Sequence, residues 1–109
     1  MAITYKVLGQ SNPSATTATD LYTVPAAKSA VVSTITVCNQ STSSATYRIA
    51  VRPAGAALAT SQYLAYDVTI PGNSADTITI GITLATTDVV TVYASSANFS
   101  FSAFGTEIA

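Results

Sequence analysis

The chain has no histidine, no tryptophan, one cysteine, and only four basic and five acidic residues among 109. Without histidine, the usual serine–histidine and cysteine–histidine nucleophile pairs cannot be assembled within one chain. A serine–lysine dyad would need Lys6 or Lys28. The stretch "AKSA" places Lys28 beside Ser29 in a turn, where neighbours do not hold a nucleophile in line. One cysteine, Cys38, allows neither an internal disulfide nor a zinc ligand set. A net charge of −1 supplies no basic field for nucleic acid or for an anionic membrane surface. No apolar run approaches the roughly 18 residues of a spanning helix. The opening "MAITYKVLGQ" lacks an apolar core of signal-peptide length, so cytoplasmic synthesis without export is expected.

What is present is alanine, serine and threonine, which together make up nearly half of the chain, arranged in a period of two. In "DTITIGITL", Ile78, Ile80, Ile82 and Leu84 alternate with threonine and glycine, the pattern of a half-buried strand. "TYRIAVR" sends Tyr47, Ile49 and Val51 one way and Thr46, Arg48, Ala50 and Arg52 the other. "YLAYDVTI" puts Leu64, Tyr66, Val68 and Ile70 inward. "ITYKVL", "DLYTVP", "VVSTITVCN", "DVVTVYAS" and "NFSFSAF" complete about eight short strands, separated by segments rich in Pro, Gly, Asn, Asp, Ser and Ala. The fold class that follows is all-β, an antiparallel β-sandwich or jelly-roll-like domain. Residues 1–109 form a single domain, with 1–19 a first strand plus a flexible connection. That first strand can pair with its own sheet or with a neighbouring subunit. "PGNS" reads as a hairpin turn joining Tyr63–Ile70 to Asp76–Leu84, and "AGAALATSQ" has room for a single helical turn at most.

The carboxylates are Asp20, Asp67, Asp76, Asp88 and Glu107. Asp20, Asp76 and Asp88 each precede a strand, where a side-chain oxygen serves to cap a turn amide. Asp67 lies mid-strand on an outward face. Calcium ligation by Asp67, Asn73 and Asp76 matches no known loop spacing, and no metal or cofactor is expected. Cys38 is expected to be a buried thiol that packs as a small apolar residue. Tyr5, Tyr47 and Tyr66 fall on predicted core faces. Tyr63 and Tyr93 fall on the other, where an apolar body with a polar tip suits an interface or a sugar contact. Arg48 and Arg52 point the same way from one strand, about 13 Å apart with Ala50 between them. They can form a solvated face, pair with Asp67 inside the chain, or reach acidic groups on a neighbour. A surface of small side chains with so few charges is also poorly defended against self-association, so a homo-oligomer, a trimer, is expected.

The segments "TDLYTVPAAKSAVVSTITVCNQS", "ATYRIAVRPAGAALA" and "ITLATTDVVTVYASSANFSFSAFGTEI" resemble a family of small structural proteins of tailed bacteriophages, including cyanophages. The likeness covers most of Asp20 to Ile108. It implies a non-enzymatic virion component with a β-sandwich fold, made in the host cytoplasm. The first expectation is a capsid decoration or cement protein outside the head, bound to the major capsid protein. A tail, baseplate or fibre component or adaptor is the alternative, and a carbohydrate-binding module a further one. Relatives in that family often carry glycine where this chain has Ala27, so the turn is expected to differ here.

Overall fold

The computed structural model describes residues 2–109. Eight strands are present, as the alternation implies: β1 (Ile3–Ser11), β2 (Thr19–Thr23), β3 (Ser29–Asn39), β4 (Ala45–Arg52), β5 (Tyr63–Ile70), β6 (Ser74–Leu84), β7 (Val89–Ala94) and β8 (Phe99–Ile108). They form two four-stranded sheets, β1-β8-β3-β6 and β2-β7-β4-β5, and every pairing is antiparallel. The domain is an all-β sandwich. Two single 3-10 turns, Pro53–Gly55 and Thr60–Gln62, lie between β4 and β5.

The inner faces meet in a core built from the central strands. Val32, Ile35 and Val37 of β3 and Phe99, Phe101 and Ala103 of β8 are wholly buried. Ile49 of β4 and Val90, Val92 and Ala94 of β7 face them, and the Tyr47 ring meets Phe101 edge-on at 6.3 Å. The inward residues of β3 are not spaced strictly by two, because Val32 and Ile35 both point in. A bulge at Ser33 restores the parity: the register runs from Val32↔Gly105 to Thr34↔Phe104 with Ser33 left over. The Ser33 hydroxyl donates to the Phe104 carbonyl at 3.1 Å, satisfying an acceptor beside the disrupted ladder.

The "PGNS" stretch does not close a hairpin. β5 pairs with β4 and β6 pairs with β3, so Pro71–Asn73 is a corner that carries the chain from one sheet to the other. Asn39, fully buried, holds this corner. Its amide nitrogen donates to the carbonyls of Ser43 (2.9 Å), Ile70 (3.0 Å) and Pro71 (3.3 Å), and its Oδ1 accepts from Ser41 N and Oγ. A side chain at Gly72 would run into the backbone of Thr42, so only glycine lets the two loops pack this closely.

Four side chains are more exposed than their alternation implies. β5 and β6 are edge strands of their respective sheets, so no strand beyond them shelters the flank. Leu64, Val68 and Ile80 remain partly in water there, and Tyr66 is turned to the outer face. Two further expectations are overturned. Tyr5, on edge strand β1, is 82% exposed rather than buried. Cys38 is only half-buried, on the outer face of β3 between Ala75 and Ser100. In both cases the residue lies on the face of the first sheet that looks away from the second sheet.

Candidate interaction site

On the outer face of the second sheet, β4 presents Arg48 between two partners. On one side its register partner is Tyr93 of β7. On the other, the pairing runs from Tyr47↔Val68 to Ile49↔Ala65, so two residues of β5, Tyr66 and Asp67, stand opposite Arg48 alone. This is a bulge, with Asp67 in the left-handed region at φ 52°, where aspartate is among the better-tolerated side chains. The bulge sends both Tyr66 and Asp67 outward around the arginine. Arg48 Nε and Nη2 donate to the two Asp67 carboxylate oxygens at 2.7 and 3.2 Å. The guanidinium carbon lies 4.1 Å from the Tyr66 ring centroid and 4.3 Å from that of Tyr93, so the cation is sandwiched between two rings. Tyr63 meets Tyr66 edge-on at 4.9 Å, and a shallow depression opens between Thr60, Tyr63 and Tyr66. The hydrogen bond from Arg48 holds the Asp67 carboxyl below the usual carboxylate range, and the same bond raises the arginine further above its own.

Arg52 has a different task. Its Nε donates to Thr91 Oγ1 (2.9 Å), Nη2 to Asp20 Oδ1 (2.9 Å), and Nη1 to the Gly55 (3.3 Å) and Ala56 (3.2 Å) carbonyls. It folds the Pro53–Ala56 segment back toward the sheet and covers Thr91, which is buried although it faces outward. Of the residues singled out in the sequence, Arg48, Asp67, Tyr63 and Tyr93 therefore converge, while Arg52 lies beside them as a structural clamp. Reversing both arginines would break these internal bonds, so the pair does not stand free on the surface. Tyr66 completes the cluster. Alternation alone hid it, because only a bulge brings it outside.

A second cluster, unforeseen from the sequence, bridges the two sheets between β2 and β8. Glu107 of β8 is buried, with 5% of its surface exposed. Tyr22 Oη donates to its Oε2 at 2.7 Å, and the ammonium groups of Lys6 and Lys28 approach Oε1 at 3.3 and 3.5 Å. The Tyr22 hydrogen bond depresses the Glu107 carboxyl below the usual range, and the two lysines add to the effect against burial. All four lysines and arginines are thus engaged by carboxylates within the chain.

The remaining acids also serve the fold. Asp88 accepts from the Ala54 and Ala85 amides (2.8 and 2.9 Å), the turn-capping role its position suggests. Asp20 instead binds Arg52 and Thr91, and Asp76 accepts the Tyr47 hydroxyl at 3.1 Å. Asp67 and Asp76 belong to different sheets, so the calcium set weighed from the sequence is not assembled. Among the described residues no cluster of three acidic or cysteine side chains is placed to hold a metal. No helix among them is long and apolar enough to cross a membrane. No family model, curated protein or solved structure matches this chain.

Proposed function

We propose that this protein is a non-enzymatic structural subunit of a tailed-phage virion, a capsid decoration or cement protein that docks on the major capsid protein from outside the head, as a homotrimer. The observation that carries the contact face is the Arg48 guanidinium held between Tyr66 and Tyr93 and fixed by Asp67. Tyrosine and arginine dominate the energetics of protein interfaces, and here their side chains are ordered before any partner arrives. The likeness of three long segments to small phage virion proteins supplies the particle. The carboxylates support a structural role, since each is engaged by hydrogen bonds within the chain.

The depression between Thr60, Tyr63 and Tyr66 favours a second reading, a sugar stacked on an aromatic platform. Electron micrographs of virions carrying gold-labelled protein test the first. Label over the head is the expected result, label over the tail transfers the role to an adaptor or fibre, and unlabelled particles overturn it. A Tyr66→Ser, Tyr93→Ser variant should fold, melt within a few degrees of the parent, and fail to join particles. Binding of the parent to a glycan array, abolished by the same variant, would establish the sugar reading instead.

A further inference from the structure

β1 is unlike every other strand. None of its nine residues is buried, whereas each of the remaining strands contributes at least one buried residue. It is held by its ladder to β8, by Leu8 packed against the core, by Gly9 pressed against the Leu21 backbone of β2, by Lys6 on Glu107, and by Asn12 just beyond it. The Asn12 amide donates to the Ala97 (3.0 Å) and Phe99 (2.5 Å) carbonyls, and the buried Pro13 follows. After Pro13 the chain turns through Ser14–Ala18 into β2 on the opposite sheet. This short hinge closes with a bond from Thr16 N to the Ala94 carbonyl at 2.8 Å, and it does so with Thr16 at φ 54°. A β-branched residue in the left-handed region is strained, and a short strained hinge is the arrangement that favours exchange of the element beyond it.

We infer that the segment Ile3–Pro13 is an exchangeable arm, which leaves its own β8 and completes the same sheet on a second copy of this chain. The partner is specified by identity. The bed that receives β1 is lined by β8, Glu107, the Leu21 backbone of β2, the core under Leu8, and the Ala97 and Phe99 carbonyls, and any other copy presents the same bed. Every contact of the arm is remade, the Thr16 strain is released as the hinge extends, and the loss is one backbone bond at Ala94. Exchange also brings two copies within the reach of a five-residue hinge, at most about 18 Å when extended. The inference stands apart from the virion reading, because it asks only for a second copy.

The register supplies the test, since Tyr5 faces Thr106 across the β1–β8 ladder. In a Cys38→Ser background, Tyr5→Cys and Thr106→Cys are made in separate chains, one carrying a mass tag. The two are unfolded together, refolded at high concentration, and then oxidised. Exchange gives a disulfide-linked pair of mixed composition, shifted to the sum of the two chain masses. Only unlinked chains, or only like-with-like pairs, overturn the proposal. The double variant in one chain, oxidised at high dilution, must close an internal bond, and failure there removes both the register and the proposal. Thr16→Gly relieves the strain of the closed hinge and should cut the mixed pair several-fold. An unchanged yield would overturn hinge strain as the driver.

Discussion

Two groups of charged residues hold this molecule, and they are built in opposite ways. Glu107 is enclosed between the sheets, with a phenol and two ammonium groups directed at one carboxylate. Arg48 and Asp67 lie on an outer face, bonded to each other and flanked by rings that remain partly in water. The first joins elements distant in the chain: β1, β2, the loop before β3, and β8. The second joins neighbouring strands of one sheet. A buried carboxylate leaves its partners stranded when removed, whereas an exposed pair is rehydrated. The interior cluster should therefore govern stability and the exterior one recognition.

The largest expected effect breaks the interior side. Glu107→Leu strands the buried Tyr22 hydroxyl, at a cost of about 1–3 kcal/mol for an unsatisfied buried donor. For a domain of this size the melting temperature should fall on the order of 10 °C. The half-exposed Lys6 and Lys28 move into water without comparable loss. Arg48→Leu should lower the melting temperature by no more than a few degrees, because Asp67 is already exposed. Thermal melts of the two variants decide the comparison, and equal losses would show that the outer cluster is structural too.

Titration sharpens the contrast. Burial, and then the nearby Asp76 carboxylate, push the Tyr47 hydroxyl up to about 12, and burial followed by Glu107 raises Tyr22 further still. The fold prefers both phenols neutral. Their contribution is complete below the ordinary tyrosine value of about 10 and is lost as pH rises through the folded values. Melting temperature should thus fall above pH 10, and Tyr47→Phe should flatten the decline. On the acid side Glu107 behaves in the reverse sense. Its contribution is present above the ordinary glutamate value of about 4.3 and is lost as pH falls through its lower folded value. Glu107→Gln should remove that limb. Added salt should weaken the Arg48–Asp67 pair more than the enclosed cluster, measured as the salt dependence of the remaining acid limb.

The smallest effect concerns the turn that delivers Lys28 to Glu107. Ala27 adopts φ 62°, so the turn keeps a left-handed residue even though alanine occupies the place where the resembling family carries glycine. Lys28 N donates to the Pro25 carbonyl at 3.3 Å across it. Ala27→Gly should relieve the strain and stabilise the domain by up to about 1 kcal/mol, less what glycine's unfolded-state freedom takes back. A small rise in melting temperature is the expected reading, and a fall would mean that the alanine methyl packs usefully.

Much of the fold was legible in advance because a strand's faces are written locally. The two-residue period located all eight strands, and the hydroxyl-rich breaks between them located the loops. The convergence of Arg48 with Asp67 was legible as one of three options, since both were outward on neighbouring segments. Tyr66 was not, because the bulge at Asp67 shifts parity by one residue, and a single extra residue reverses the face of everything beyond it.

The sequence by itself determined the class of fold, the strand positions and the absence of a histidine-based nucleophile, because period, composition and residue type are properties of the chain. Tertiary structure decided which strands share a sheet. "PGNS" is as good a hairpin turn as a corner, and the choice fell to Asn39, which binds the Ile70 and Pro71 carbonyls from 31 and 32 residues away. It likewise decided that Glu107, a lone acid near Lys6 only in space, became the most enclosed charge in the molecule. Contacts of that separation depend on how two sheets lie on each other, and no local pattern records it.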